Sequence, residues 1–390
     1  MRVIGLDIGT TSISAVVAEN GRVIRSVTEQ SCAAIKPEFA ENRLQSVETI
    51  TEKVFSIKER LAKEFAPIDA IGVTGQMHGI LYIDKEGIAV SPLYTWAVGL
   101  CNIQDYITMK LTGGKTPVTH ISNAAGLGFY SFETFDFDSS ALEKIGCDSK
   151  MLPRVTAEPE VIGTDSNGIP VTVAVGDNQA SFLGSVTNKE SVLVNIGTGS
   201  QVSVLTDKKS GFAAGEIRPF SKTENLLVGA PLCGGRSYAL LKSFFEKTLD
   251  CFGVTADNIY SVMDKMAVED IDNCSLSVDT RFCGTRRDPD IKGAVLQITE
   301  DNFTPQQLTR GFLIGMCREL YSFYEQMEKL TGKKRTHLVG SGNGVRKNKI
   351  LQYYLEETFK MPLEIPANTE EAAFGATAFV SRNLKNKITG

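Results

Sequence analysis

Histidine and tryptophan are the scarcest side chains in this 390-residue chain, with three of the first and one of the second. Eight cysteines (Cys32, Cys101, Cys147, Cys233, Cys251, Cys274, Cys283 and Cys317) include no CxxC pair, so the short ligand spacing of a zinc site is absent. No apolar run approaches the roughly 20 residues that span a bilayer. The opening MRVIGLDIGTT runs straight into a strand pattern without a small-residue cleavage site, so no secretory leader is expected. Scattered cysteines then read as small buried hydrophobes with reduced thiols, and the expected compartment is the cytoplasm. No GxxxxGK[ST] occurs, which excludes a P-loop nucleotide site. Positive charge is not in excess either: 41 Lys+Arg stand against 46 Asp+Glu, a net charge of −5, which disfavours nucleic acid as a partner.

What the chain does have is an internal repeat. Residues 3–16, VIGLDIGTTSISAV, read as a strand, a glycine turn and a second strand, and residues 191–205, SVLVNIGTGSQVSVL, follow the same plan. Leu6 to Ser12 align with Val194 to Ser200 at a constant offset of 188. Each copy opens an α/β half, so the expected domains are 1–187 and 188–390. Apolar residues at Leu44, Val47, Val54, Ile57, Leu61 and Phe65 predict a helix within 41–65, followed by a buried strand at 68–73. A second helix at 306–330 and a strand at 336–339 repeat that succession. The last helix is announced by Asn368 and Glu371 at capping-box spacing. Its interior, Ala372, Ala373, Gly375, Ala376 and Ala378, is small enough for close packing.

Five glycine-bearing turns carry candidate chemistry. Asp7-Ile8-Gly9-Thr10-Thr11-Ser12 places a carboxylate at a strand end, then a turn with bare backbone and three hydroxyls. Backbone N–H and O–H groups there can grip phosphate, and Asp7 can hold Mg²⁺ through water. A hairpin turn with no chemical role is the plainer alternative, but the second copy, Gly197-Thr198-Gly199-Ser200, favours a paired clamp. Gly340-Ser341-Gly342-Asn343-Gly344 lies between a strand and a helix, a flat surface for a base or ribose. Asp177, in Gly176-Asp177-Asn178-Gln179, sits on a strand-to-helix turn. It can cap the helix, accept the proton of an attacking hydroxyl, or do both. Gln76, Met77 and His78 lie between glycines at a strand exit and suit a polyol, while a structural histidine is the plainer reading. Trp96 is either core or a wall for a sugar's apolar face.

The combination resembles the FGGY carbohydrate kinases of the actin/Hsp70/sugar-kinase superfamily. The resemblance covers nearly the whole chain. It implies two duplicated ribonuclease-H-like (actin-like ATPase) α/β domains around a central cleft, with ATP and Mg²⁺ as cofactors. The family's phosphate motifs resemble residues 5–12 and 195–201, and its adenosine motif 339–348, with the helix at 370–379 behind it. Its catalytic base falls on Asp177, and its sugar-contacting residues on Gln76, Met77 and His78, joined here by Trp96, Asp177 and Asn178. Gly234 and Gly235, in the run Cys233-Gly234-Gly235, join Asp7, Thr10, Thr11, Ser12, Gly197, Thr198, Gly199, Gly340, Gly342 and Asn343 as nucleotide-binding residues. GDNQASF at 176–182 and GSGNGVRKN at 340–348 look most like members acting on the seven-carbon ketose sedoheptulose. QMHG and GDN are shared with those acting on xylulose. Other family substrates, and a non-catalytic ATP-binding regulator, are the alternatives. The expected partner is a small-molecule sugar, with no nucleic acid, no membrane and, at most, a second copy in a homodimer.

One departure stands out. The family continues its tryptophan as Trp-x-Asp-x-Arg and a helical segment. Here Trp96 runs directly into Ala97-Val98-Gly99-Leu100. About 50–60 residues are missing, and the sugar-binding Asp and Arg have no counterpart. A loss of that size would expose the first domain's core, so an interruption of the recorded chain after Trp96 is the preferred expectation.

Overall fold

A computed structural model of the chain describes residues 1–35, 43–77, 79–84, 86–91, 93–95, 101–144 and 148–388. It divides into two units. The first comprises Met1–Thr187, Arg218–Asn225 and Asn368–Gly390, the second Asn188–Ile217 and Leu226–Ala367.

In the first unit, alternating apolar residues and the glycine turn make strand Arg2–Ile8 and strand Ser12–Glu19 an antiparallel hairpin closing at Ile8↔Ile13. Strand Ala70–Gly75 lies parallel to the first of these, with Asp7 beside Thr74. The sheet runs Val161–Thr164, Pro170–Thr172, Ala70–Gly75, Arg2–Ile8, Ser12–Glu19, Arg22–Gln30, with Val175–Gly176 also pairing to Ala70–Gly75. Helix Val47–Glu64 begins where Ser46 accepts a hydrogen bond from the Thr49 N–H, and it lays Ile50, Val54, Ile57 and Leu61 on Ile4, Leu6 and Ile8.

The second unit repeats this plan. Strands Ser191–Ile196 and Ser200–Thr206 form a hairpin closing at Ile196↔Ser200, and His337–Ser341 lies parallel, with Asn195 beside Ser341. Residues 3–12 and 191–200 even share one order of buried, half-buried and exposed positions. The crossover helix, Pro305–Thr331, starts on a Thr304 cap with proline in its first turn and stops at Gly332, which takes the left-handed φ of 66°. It packs Phe312, Met316, Leu320 and Tyr324 onto Val192, Val194 and Ile196.

The last helix packs on the first unit. Glu371–Ile388 clusters with the first unit, together with residues 1–187. Its small face docks on helix Asp177–Ser185 and on strands Arg2–Ile8 and Ala70–Gly75. Backbones meet there: a Cβ on Gly375 would lie 1.7 Å from the Ala180 carbonyl oxygen, and one on Gly184 1.9 Å from that of Glu371. Gly5 and Gly72 face Ala373 and Ala376 in the same way. Segment Arg218–Asn225 also returns to the first unit. The expected interruption after Trp96 falls at a junction outside the described residues. Trp96 itself, with residues 97–100, lies outside the described residues, as does His78. Among the described residues, no helix is long and apolar enough to cross a membrane.

Candidate functional site

Two groups of the residues singled out in the sequence assemble, one in each unit. In the first, the hairpin tip is braced by side chains. The Thr10 hydroxyl donates to Gln76 Oε1 at 2.9 Å, Gln76 Nε2 donates to Gln45 Oε1 at 2.8 Å, and Gln45 Nε2 donates to the Thr10 carbonyl at 2.7 Å. Thr10 and Gln76, expected to serve phosphate and sugar respectively, are thus hydrogen-bonded to each other. Thr11 is exposed and Ser12 pairs with Gln30 in the sheet.

Asp177 opens helix Asp177–Ser185 but is not its cap; Gly176 holds that position and offers no side chain. The Asp177 Oδ1 accepts from the Asn178 backbone N–H and from Asn178 Nδ2, both at 2.7 Å. The turn is held from below: Gly176 N–H donates to Ser122 Oγ at 2.9 Å, and Asn123 Nδ2 donates to the Ala174 carbonyl at 3.0 Å. Asn178 Nδ2 also approaches the Met77 sulfur at 3.9 Å. Burial, then the negative charges of Asp177 and Glu370, push the Asp7 carboxyl up to about 7. Two carboxylates therefore act electrostatically on the buried Asp7, a field that a cation would relieve. Among the described residues, no three potential ligands stand close enough to chelate a metal directly. An ion here would fit only through water.

In the second unit, three glycine runs converge on one hairpin tip. Gly234, at φ +50°, and Gly235 press on the turn at 197–200, where a Cβ on Gly235 would sit 2.0 Å from the Gly197 carbonyl oxygen. Gly342, at φ +82°, lies on Ile196, where a Cβ would come within 2.6 Å of the carbonyl oxygen. Gly197 and Gly199 themselves face open space. Beside them lies a cavity of about 270 Å³ whose lining includes Gly197, Gly235, Tyr238, Tyr260, Asp264, Asn343 and Asn348. Tyr238 and Tyr260 stack with centroids 5.8 Å apart and planes 21° from parallel. Asp264 Oδ1 accepts from Tyr238 OH at 3.1 Å and from Asn348 Nδ2 at 2.8 Å. Burial raises both the Tyr238 and the Asp264 pKa. A wall with aromatic faces, bare backbone and a few polar tips suits a nucleoside with its phosphates toward the glycines.

Sequence reasoning passed over Tyr238, Tyr260, Asp264 and Glu370. Tyrosines on helices at ordinary spacing read as core, and a single carboxylate carries no spacing signal.

Residues 2–102 and 97–184 match the N-terminal domain of the FGGY family of carbohydrate kinases, and residues 192–382 match its C-terminal domain. The chain belongs to this family and is a carbohydrate kinase with the actin-like ATPase fold and ATP as phosphate donor. The two N-terminal stretches meet at the place of the shortfall. Sedoheptulokinase from Mus musculus is 24% identical over 477 aligned positions, covering 98% of each chain. That alignment is longer than this chain, so stretches of the relative face no residue here. Gluconate kinase from Lactobacillus acidophilus superposes with a TM-score of 0.85 at 19% identity, covering 99% of this chain and 89% of that one. Xylulose kinase from the same organism gives 0.83 at 17%, covering 99% and 90%.

Proposed function

We propose that this kinase transfers the γ-phosphate of ATP to the terminal hydroxyl of a ketose, with sedoheptulose, giving sedoheptulose 7-phosphate, as the favoured substrate. The observation that carries the reading is Asp177, a carboxylate at a strand exit beside Met77 and Asn178 and within the electrostatic reach of Asp7. Asp177 accepts the proton of the attacking hydroxyl. Phosphoryl transfer has a loose transition state, so one aligned carboxylate suffices without strong basicity. Asn178 orients that carboxylate through two hydrogen bonds to Oδ1, leaving Oδ2 for the hydroxyl. Asp7 would hold Mg²⁺ through water, and the ion when bound would neutralise charge on the transferring phosphate. Thr10, Thr11 and Ser12 in one unit, and Gly197, Thr198, Gly199, Gly234 and Gly235 in the other, would hold phosphate oxygens. Gly340, Gly342 and Asn343 would hold adenosine. Gln76, Met77, His78, Trp96 and Asn178 would face the sugar. The functional halves are 1–187 for sugar and 188–390 for nucleotide, with 218–225 and 368–390 built into the first. The sedoheptulose preference is supported by similarity to the mouse enzyme over its full length. Xylulose is the second reading, favoured by the shared QMHG and GDN turns.

A coupled ATP-consumption assay across sedoheptulose, xylulose, ribulose, gluconate and glycerol tests the substrate. Asp177→Asn tests the base: we expect sugar phosphorylation to fall by roughly 10²- to 10⁴-fold with nucleotide binding retained. Wild-type turnover in that variant would show the base assignment to be wrong. ATP binding without phosphorylation of any of the five would favour a regulatory protein instead.

A further inference from the structure

We propose that His120 and Ser122 are positioning residues for Asp177: a one-way chain of hydrogen bonds through them fixes the Gly176–Asp177 turn and so aims the carboxylate at the attacking hydroxyl. The proposal rests on the reading of Asp177 as the base. Gly176, the N-cap residue before Asp177, has no side chain with which to hold the turn. Its backbone N–H donates to Ser122 Oγ at 2.9 Å. Ser122 Oγ lies 2.8 Å from His120 Nδ1, and the Ser122 backbone N–H donates to the same nitrogen at 3.2 Å. On the far side of the ring, His120 Nε2 faces the Ala157 carbonyl at 3.3 Å.

These partners leave one assignment of protons. A carbonyl oxygen only accepts, so Nε2 carries the imidazole proton and Nδ1 is an acceptor, as the Ser122 N–H requires. The Ser122 hydroxyl then donates to Nδ1 and keeps its lone pairs for the Gly176 N–H. Donation therefore runs one way, from Gly176 through Ser122 and His120 to Ala157. Moving the proton to Nδ1 would set donor against donor at the Ser122 N–H and acceptor against acceptor at Ala157. The ring is 1% exposed, and burial takes its pKa down to about 4, so it stays neutral. Phe379 meets it edge-on, centroids 5.1 Å apart, and fixes its plane.

The next residue completes the grip. Gln104 Nε2 donates to Asn123 Oδ1 at 3.0 Å, which turns Asn123 Nδ2 toward the Ala174 carbonyl, also at 3.0 Å. Neighbours 122 and 123 thus hold residues 176 and 174 of the segment that leads into Asp177. A Cβ on Gly176 would lie 3.3 Å from Asn123 Oδ1 and 3.1 Å from the Met77 sulfur, so the turn is packed between this grip and a residue proposed to face the sugar. The buried polar atoms here are not uniformly matched. Asn102 Oδ1, Gln104 Oε1 and Asp105 Oδ2 have no hydrogen-bond partner, whereas no side-chain atom of His120, Ser122 or Asn123 lacks one. Matching is complete on the three residues that hold the turn. An apolar layer would fill the same space, but only directed, matched hydrogen bonds also fix the orientation of a backbone group.

The test is steady-state kinetics per folded enzyme, the folded fraction being measured by circular dichroism, on Ser122→Ala, His120→Leu and His120→Asn. Ser122→Ala should lower kcat by roughly 10- to 100-fold, the scale of a misplacement of about 1 Å, and leave the sugar and ATP KM within about twofold. His120→Leu, which fills the space without an acceptor, should lower kcat by about tenfold. His120→Asn puts an acceptor oxygen back at the place of Nδ1 and should recover kcat to within about threefold of wild type. On the Asp177→Asn background, Ser122→Ala should cost less than about threefold more, because the carboxylate it positions is already gone. An unchanged kcat per folded enzyme in Ser122→Ala overturns the assignment, and so does a loss that multiplies with that of Asp177→Asn. Equal kcat in His120→Leu and His120→Asn overturns it even if Ser122→Ala does not fold. If Asp177→Asn keeps full turnover, the base reading itself fails; an inactive Asp177→Asn with a normal Ser122→Ala removes the positioning role alone.

Discussion

The two hairpin tips share one backbone plan and differ in what surrounds it. In the first unit, Asp7 is a carboxylate whose neighbours are two more carboxylates, and its tip is braced by Gln45 and Gln76 side chains. In the second, the aligned residue is Asn195, neutral, donating from Nδ2 to Ser341 Oγ at 2.9 Å, and the tip is braced by glycine backbone. The contrast continues inward. Beneath the Asp177 turn lies a buried polar layer of Asn102, Gln104, Asp105, Thr119, His120, Ser122 and Asn123, while the second tip stands on an apolar core of Phe312, Met316, Leu320 and Tyr324. Duplication supplied one frame twice. Charge stayed in the copy that we assign to chemistry, and bare backbone spread in the copy that we assign to holding nucleotide.

The sharpest break of that contrast is Asp7→Asn, which makes the first tip resemble the second. Losing the carboxylate that would hold the metal should lower kcat by about 10³-fold, roughly 4 kcal/mol of barrier, with sugar binding spared. The check is kcat measured across a magnesium titration, alongside calorimetric sugar binding. A variant with normal kcat would mean that the charge difference between the tips has no chemical role.

Much of this frame could be read before any coordinates. The hairpins, the helix that folds as Val47–Glu64 and the strand that folds as His337–Ser341 are local patterns of apolar spacing and turn glycine. The small face at Ala372–Ala378 was legible as close-packing, but not its partner. Ala and Gly say that two backbones meet, and nothing in them names the other backbone, which proved to be that of residues 5, 72, 180 and 184. The return of Arg218–Asn225 to the first unit was illegible for the same reason, since it is set by tertiary packing. Asp177 was legible because a strand exit, a glycine and a helix start are consecutive in sequence.

The buried polar layer offers the next test. Burial pushes Asp105 up to about 8, against an ordinary aspartate near 4. The folded state therefore holds a proton that the unfolded state releases above about pH 4. Stability contributed by this group is fully present below that pH and drains away as pH rises toward 8. Asp105→Asn is neutral at every pH, so it should be more stable than wild type at pH 7, by roughly 4 kcal/mol, and should lose that advantage near pH 4. Urea unfolding at both pH values checks the crossover. A variant that is less stable than wild type at pH 7 would mean that Asp105 is ionised and satisfied in the fold.

The reciprocal exchange, Asn195→Asp, should have the smallest effect and separates charge from geometry. Asn195 lies half-buried beside Ser341, at the foot of the turn where phosphate is proposed to sit. A carboxylate there can still accept from the Ser341 hydroxyl, so the brace between the two strands survives with its donor reversed. What changes is one negative charge near a polyanion. At an effective dielectric near 20 and a separation of about 10 Å, Coulomb's law gives roughly 1–2 kcal/mol, or an ATP KM raised by about tenfold. The sugar KM should not move, and because the site is open the penalty should shrink as salt is raised from 0.05 to about 0.5 M, where screening shortens to a few ångströms. An ATP KM that rises equally at both salt concentrations would assign the loss to distortion of the tip, and the neutrality of the second copy would then be a matter of packing, not of phosphate recognition.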